Sequence, residues 1–272
     1  MSDDTNATPH TMTDDATYPW QDWLEQGNAS TALRTYLERG GGSMETENGL
    51  RDLVSMQRAL RGKQWQRAKD ELSGGSEDVP NKDTLTLTAL VDRISLKKGV
   101  EMLEASNELL EQRKPDEALA QLESIDLPLL MAEVATQRGT AYIFQGELED
   151  AKRAFEDALE RDPNHYRALT NLGNVALEQN KTDDAIGYYQ AALRINENFS
   201  NAHHNLGVAY RRNGEIGKSV QAIRKAQRAM QQEDMTTARQ TMAQSQRKYG
   251  KWILYGVGAV VVYLILRARG VL

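Results

Sequence analysis

Small and apolar residues recur at one fixed interval through the second half of this chain. Gly139, Gly173 and Gly207 fall 34 residues apart. Gly146, Asn180 and Gly214 make a second ladder, Ala158, Ala192 and Ala226 a third, and Ala151 and Ala185 lead to Ser219. A period of about 34 residues is the mark of stacked helical hairpins, because each hairpin must bury an apolar face against the next. The pattern predicts three units, 132–165, 166–199 and 200–233, each a helix A, a short turn and a helix B.

Each recurring residue has a packing reason. Gly139 falls in the middle of helix A, where a side chain would block helix B. A glycine inside a helix costs about 0.5–1 kcal/mol, so its repetition implies a return in packing. Tyr142, Phe155 and Ala158 continue the inner stripe. Gly146 supplies a left-handed C-cap, a conformation that Asn180 also tolerates, and Pro163 stops helix B.

The same grammar is worn upstream. Trp20, Trp23, Gly27, Ala32 and Tyr36 suggest a hairpin over 18–38. Ala59, Trp65, Ala68 and Leu72 suggest another over 47–72, and Leu109, Pro115, Ala118 and Leu122 a third over 97–130. Residues 18–131 are therefore expected to form degenerate hairpins, with a helical bundle docked on the array as the alternative. Gly40–Gly42 and Ser73–Asp83 read as breaks, and 84–113 as one long helix or two. Residues 1–17 are polar, acidic and aperiodic, the composition of a disordered leader and not of a secretory signal. Past the third unit, Met230, Met235, Ala238 and Met242 mark a helix over 234–250 that caps the array.

The periodic residues resemble the tetratricopeptide repeat (TPR) family. The matching positions are Gly139, Tyr142, Ala151, Phe155, Ala158 and Pro163, then Leu172, Gly173, Ala185, Tyr189 and Ala192, then Leu206, Gly207, Tyr210 and Ala226. Ala135, Leu169 and His203 stand where the family often has Trp, and Glu197, Ser219 and Ile223 are further departures. The resemblance implies an all-α, right-handed helical-hairpin solenoid whose helices A line a concave peptide-binding groove. Carried onto this chain, the groove set is Arg167, Asn171, Asn174, His204, Asn205, Arg211 and Arg212, with Gln137, Thr140, Ile143 and Phe144 in the first unit. The Asn amides suit the backbone of an extended peptide and the Arg side chains suit acidic groups. Thr136 and Asn201 replace the lysines with which some family members clamp a chaperone's terminal carboxylate, so that ligand is not implied.

The chain closes on a different signal. Trp252–Leu266, WILYGVGAVVVYLIL, holds no charge in 15 residues. At about 1.5 Å per residue it covers roughly 22 Å of a ~30 Å hydrocarbon core. Tyr249, Trp252, Tyr255 and Tyr263 suit the interfaces, and Lys251, Arg267 and Arg269 can snorkel. A capping helix would be amphipathic, whereas this run is apolar all round. The expectation is a single transmembrane anchor over 251–268 with a short tail at 269–272, inserted after translation, with the N-terminus cytoplasmic. A bacterial inner membrane is favoured, and the mitochondrial outer membrane is the alternative.

Composition excludes several chemistries. The chain has no cysteine, hence no disulfide, thiolate metal site or lipidated cysteine, and a net charge of −6 speaks against nucleic acid as partner. His10, His165, His203 and His204 are its four histidines. The adjacent pair points about 100° apart on a helix and cannot chelate one ion. No catalytic, phosphate-binding or metal motif is present, so no enzyme, cofactor or metal is expected. The function read from the chain is a membrane-anchored scaffold that binds an extended or acidic protein segment and recruits it to a complex. The alternatives are a mitochondrial import or fission-type adaptor and a self-associating structural component.

Overall fold

Caps and breakers in the sequence set the helix ends. The computed structural model describes residues 19–73, 87, 90–235, 238 and 267, and among them every regular element is helical. The chain divides into two units, 1–195 and 196–272. The first holds α1 (Pro19–Glu25), α2 (Ala29–Glu38), α3 (Met44–Arg61), α4 (Trp65–Glu71), α5 (Arg93–Glu111), α6 (Pro115–Glu123), a 3-10 turn (Pro128–Leu130), α7 (Met131–Gln145), α8 (Leu148–Arg161), α9 (Tyr166–Glu178) and α10 (Thr182–Ile195). The second holds α11 (Ser200–Arg212) and α12, residues 216–235.

Helices α3 to α10 form hairpins that pack in chain order, each on the next. Side-chain oxygens start several of these helices by taking up free backbone N–H groups. Asn28 caps α2 through Thr31 N (2.9 Å), Ser43 caps α3 through Thr46 N (3.4 Å), and Asp92 caps α5 through Ile94 N and Ser95 N (3.0 and 3.2 Å). The expected left-handed caps are in place, with φ of +84° at Gly146 and +60° at Asn180. Pro163 lies two residues past the end of α8.

The glycine ladder does what its spacing predicts. A Cβ on Gly139 would stand 2.4 Å from Phe155 Cε1, and one on Gly173 2.4 Å from Tyr189 Cε1. Each helix A therefore gives up a side chain so that the aromatic of its helix B can lie against the backbone. In the second unit Ile223 takes the aromatic's place, with Cδ1 2.7 Å from a Cβ on Gly207. Ser219 Oγ donates to Gly207 O at 2.7 Å, a bond the usual small apolar residue cannot make.

The N-terminal helices pair as α1–α2, α3–α4 and α5–α6, but they do not simply extend a row. Hairpin α1–α2 folds back onto the 3-10 turn, and a Cβ at Gly27 (φ +82°) would stand 2.1 Å from Pro128 O. Gln57 of α3 ties the two together, donating to Gly27 O (2.6 Å) and Leu129 O (3.1 Å). Trp20, Tyr36, Leu50, Met56, Leu103 and Leu130 share one core there, with Trp20 edge-on to Tyr36 at 5.8 Å. A serial solenoid touches only its neighbours; here the first hairpin meets the start of α7's unit directly. In the segment 84–113 the described Leu87 and Leu90 are helical, Val91 and Asp92 interrupt, and α5 follows from Arg93, so the segment is not one continuous helix.

The expected leader (1–17), most of the capping segment (234–250) and the expected anchor (251–268) lie outside the described residues, except 234, 235, 238 and 267. No helix among the described residues is long and apolar enough to cross a membrane.

Candidate functional site: the helix A faces and a buried ion cluster

Arg167, Asn171 and Asn174 stand at i, i+4 and i+7 of α9 and so share one face. They do not share one environment. Arg167 Nη1 lies 3.1 Å from Glu133 Oε1 and 3.5 Å from Leu60 O, and its side chain is 13% exposed. Asn174 Oδ1 accepts from Tyr189 Oη at 2.8 Å, which ties it to helix B of its own hairpin. Asn171 is half-buried. In the second unit His204, Arg211 and Arg212 of α11 are exposed and Asn205 is half-buried.

The first-unit positions divide similarly. Gln137 is buried and donates backwards to Leu103 O of α5 (3.1 Å) and to Glu133 (3.4 Å), so it serves the packing of neighbouring helices A. Thr140 Oγ1 donates to Thr136 O in its own helix. Phe144 is 40% exposed, with Arg113 over its ring at 5.5 Å.

The partner of Arg167 belongs to a cluster the sequence did not announce. Glu133 and Arg167 are 34 residues apart, so they hold the same place on successive helices A with opposite charges. His165 closes the group. Its Nδ1 accepts from Ala168 N (3.3 Å) as the N-cap of α9, which assigns the proton to Nε2, 3.1 Å from Glu133 Oε2. Burial opposes ionisation of Glu133. The charge of Arg167 and hydrogen bonds from His165 and Gln137 outweigh it and hold the carboxyl below its usual range. Thr136 Oγ1 lies 3.4 Å from the same Nε2 and donates to Ala132 O. Both ring nitrogens of His165 are thus committed to structure.

A second link crosses from α3. Arg61 Nε lies 3.1 Å from Asp162 Oδ2, and Arg61 Nη1 donates to Asn164 O at 3.3 Å. The end of α3 is thereby joined to the turn between α8 and α9, about a hundred residues along the chain. Lys63, the next cation, sits at φ +53° with its Nζ 3.8 Å from Glu111. Burial and the neighbouring Arg167 charge push its pKa down, against Glu133 and Glu111. Among the described residues no cluster of three or more His, Cys, Asp or Glu could hold a metal ion.

Residues 136–199 and 176–234 match the tetratricopeptide repeat family model. Over 99 residues the chain is 32% identical to Protein NPGR2 of Arabidopsis thaliana, covering 35% of this chain and 13% of that one. Over 82 residues it is 36% identical to the probable UDP-N-acetylglucosamine–peptide N-acetylglucosaminyltransferase SPINDLY of Hordeum vulgare, covering 28% and 9%. The chain thus spans a small fraction of the length of these relatives. A crystal structure of MamA is 18% identical with a TM-score of 0.42, covering 65% of this chain and 95% of that one. MamA from Desulfovibrio magneticus RS-1 is 25% identical with a TM-score of 0.39, covering 48% and 75%. The family match and the hairpins with their glycine–aromatic contacts agree over one stretch: residues 136–234 match tetratricopeptide repeats and fold as helical hairpins of that type.

Proposed function

We propose that this scaffold binds an extended segment of a partner protein along its helix A faces and recruits it to a membrane held by Trp252–Leu266. The observation that carries the reading is the face of α9, where Asn171 stands between a committed Arg167 and a committed Asn174. Tight packing holds the helix and leaves a polar position presented from a rigid support, which is how repeat proteins display binding groups. On α11, His204, Arg211 and Arg212 are exposed and supply hydrogen-bond donors and positive charge. An acidic partner segment is complementary to Arg211, whereas Arg167 is already neutralised by Glu133. Anchoring works by confinement, since a tethered site meets membrane partners at raised effective concentration.

The test is a pull-down from detergent extract with the intact chain and with Asn171→Ala, His204→Ala and Arg211→Ala combined. These positions avoid the buried cluster, so the variant keeps its fold. Loss of a discrete partner supports the reading, and an unchanged partner set refutes the helix A assignment. A fluorescent fusion to residues 245–272 checks the anchor independently: membrane localisation supports it and a diffuse signal refutes it.

A further inference from the structure

Charge is unevenly divided along the chain. Residues 1–195 carry 21 Lys or Arg against 35 Asp or Glu, and residues 196–272 carry 12 against 4. A chain that is acidic as a whole therefore ends in a strongly basic unit, an asymmetry that points to a polyanionic surface near that end.

Helix α12 shows where part of this charge goes. Ser219, Ala222, Ala226 and Ala229 form its buried face. On the other side Val220, Gln221, Arg224, Lys225 and Arg228 are exposed and line one shallow depression. Their three-and-four spacing puts them on a single stripe. Lys218 is held by Glu215, but no carboxylate among the described residues pairs with Arg224, Lys225 or Arg228. Two apolar side chains belong to the same side: Ile216 is 58% exposed and Val220 46%. Aliphatic side chains interleaved with unpaired cations suit the interface of an anionic bilayer, where the chains dip and the cations meet headgroups. An acidic peptide would satisfy the cations and leave Ile216 and Val220 exposed.

We propose that the stripe of α12 bearing Val220, Arg224, Lys225 and Arg228 lies against anionic phospholipid headgroups. The proposal rests on the membrane reading above, and the bilayer is its one occupant. Each cation at an anionic leaflet contributes roughly a fivefold gain in affinity, so three together give on the order of 100-fold. The contact is electrostatic and is screened by salt.

The test uses the full chain, whose lack of cysteine makes an introduced label unique. Gln221→Cys carries a fluorophore, and the protein is mixed with phosphatidylcholine vesicles, with or without about 30% phosphatidylserine, containing a headgroup quencher. The expected result is flotation with both vesicles, and quenching only with phosphatidylserine. That quenching disappears at about 0.5 M salt and in Arg224→Glu/Lys225→Glu/Arg228→Glu, while flotation persists. Flotation with no lipid-dependent quenching overturns the proposal and leaves the anchor standing. Flotation only with phosphatidylserine, lost in salt, supports the stripe and removes the anchor. Flotation with neither removes both. A label shift without vesicles, accompanied by dimerisation, makes a second copy the occupant and overturns the proposal.

Discussion

Single residues in this protein divide into those that permit packing and those that tie repeats together. Gly139 and Gly187 separate the two halves of a glycine's effect. A Cβ on Gly139 meets Phe155 at 2.4 Å, whereas one on Gly187, exposed in α10, meets nothing within 4 Å. Gly139→Ala is expected to destabilise by about 1–3 kcal/mol through overpacking, and Gly187→Ala to stabilise by about 0.5–1 kcal/mol through helix propensity. Urea midpoints of the two variants check the opposite signs. Glu133 is the other test at this scale. Glu133→Gln leaves Arg167 and His165 facing a neutral group and should cost about 3 kcal/mol, as breaking a buried pair does. The folded pKa of Glu133 lies below its ordinary 4.5. Its stabilisation is therefore complete above about pH 4.5 and is lost as pH falls through the lowered folded value. The native chain should lose stability over that acid range more steeply than Glu133→Gln, and parallel pH curves would count against the assignment.

At the level of elements, the C-caps explain which repeats could be read. Helices α7 and α9 and, in the second unit, α11 end at Gly146, Asn180 and Gly214, residue types that advertise a left-handed cap. The equivalent turns after α3 and α5 hold Lys63 at φ +53° and Arg113 at φ +58°, which carry no such signal. Those hairpins were visible through Ala and Leu spacing with Trp65 and Pro115, and their exact ends were not. Arg113 recovers some of the strain by stacking over Phe144, while Lys63 sits near the charge of Arg167. Lys63→Gly is accordingly expected to stabilise by about 1 kcal/mol, and Arg113→Gly to be closer to neutral. Thermal unfolding of the pair distinguishes them. The ion cluster was legible in principle, because Glu133 and Arg167 share a register position with opposite charge. The fold-back of α1–α2 onto Pro128 was not, since no local pattern encodes a contact across a hundred residues.

Across the whole chain, the long-range ties fall within the first unit. The first unit closes on itself through Gln57, Arg61 and Arg167, so its hairpins are cross-linked beyond nearest neighbours. Arg61→Ala should therefore raise amide exchange in the turn at Asp162–Asn164 as well as at the end of α3, whereas a strictly serial array would confine the change to α3. Such a support suits the proposed scaffold, in which helix A positions such as the half-buried Asn171 contact a partner. That claim is tested most directly by site-specific photo-crosslinking in the intact chain. A crosslinker at Asn171 on α9 is predicted to give a discrete protein adduct, while one at the exposed Glu156 on α8 gives none. Equal labelling from both positions, or an adduct from Glu156 alone, would contradict the account.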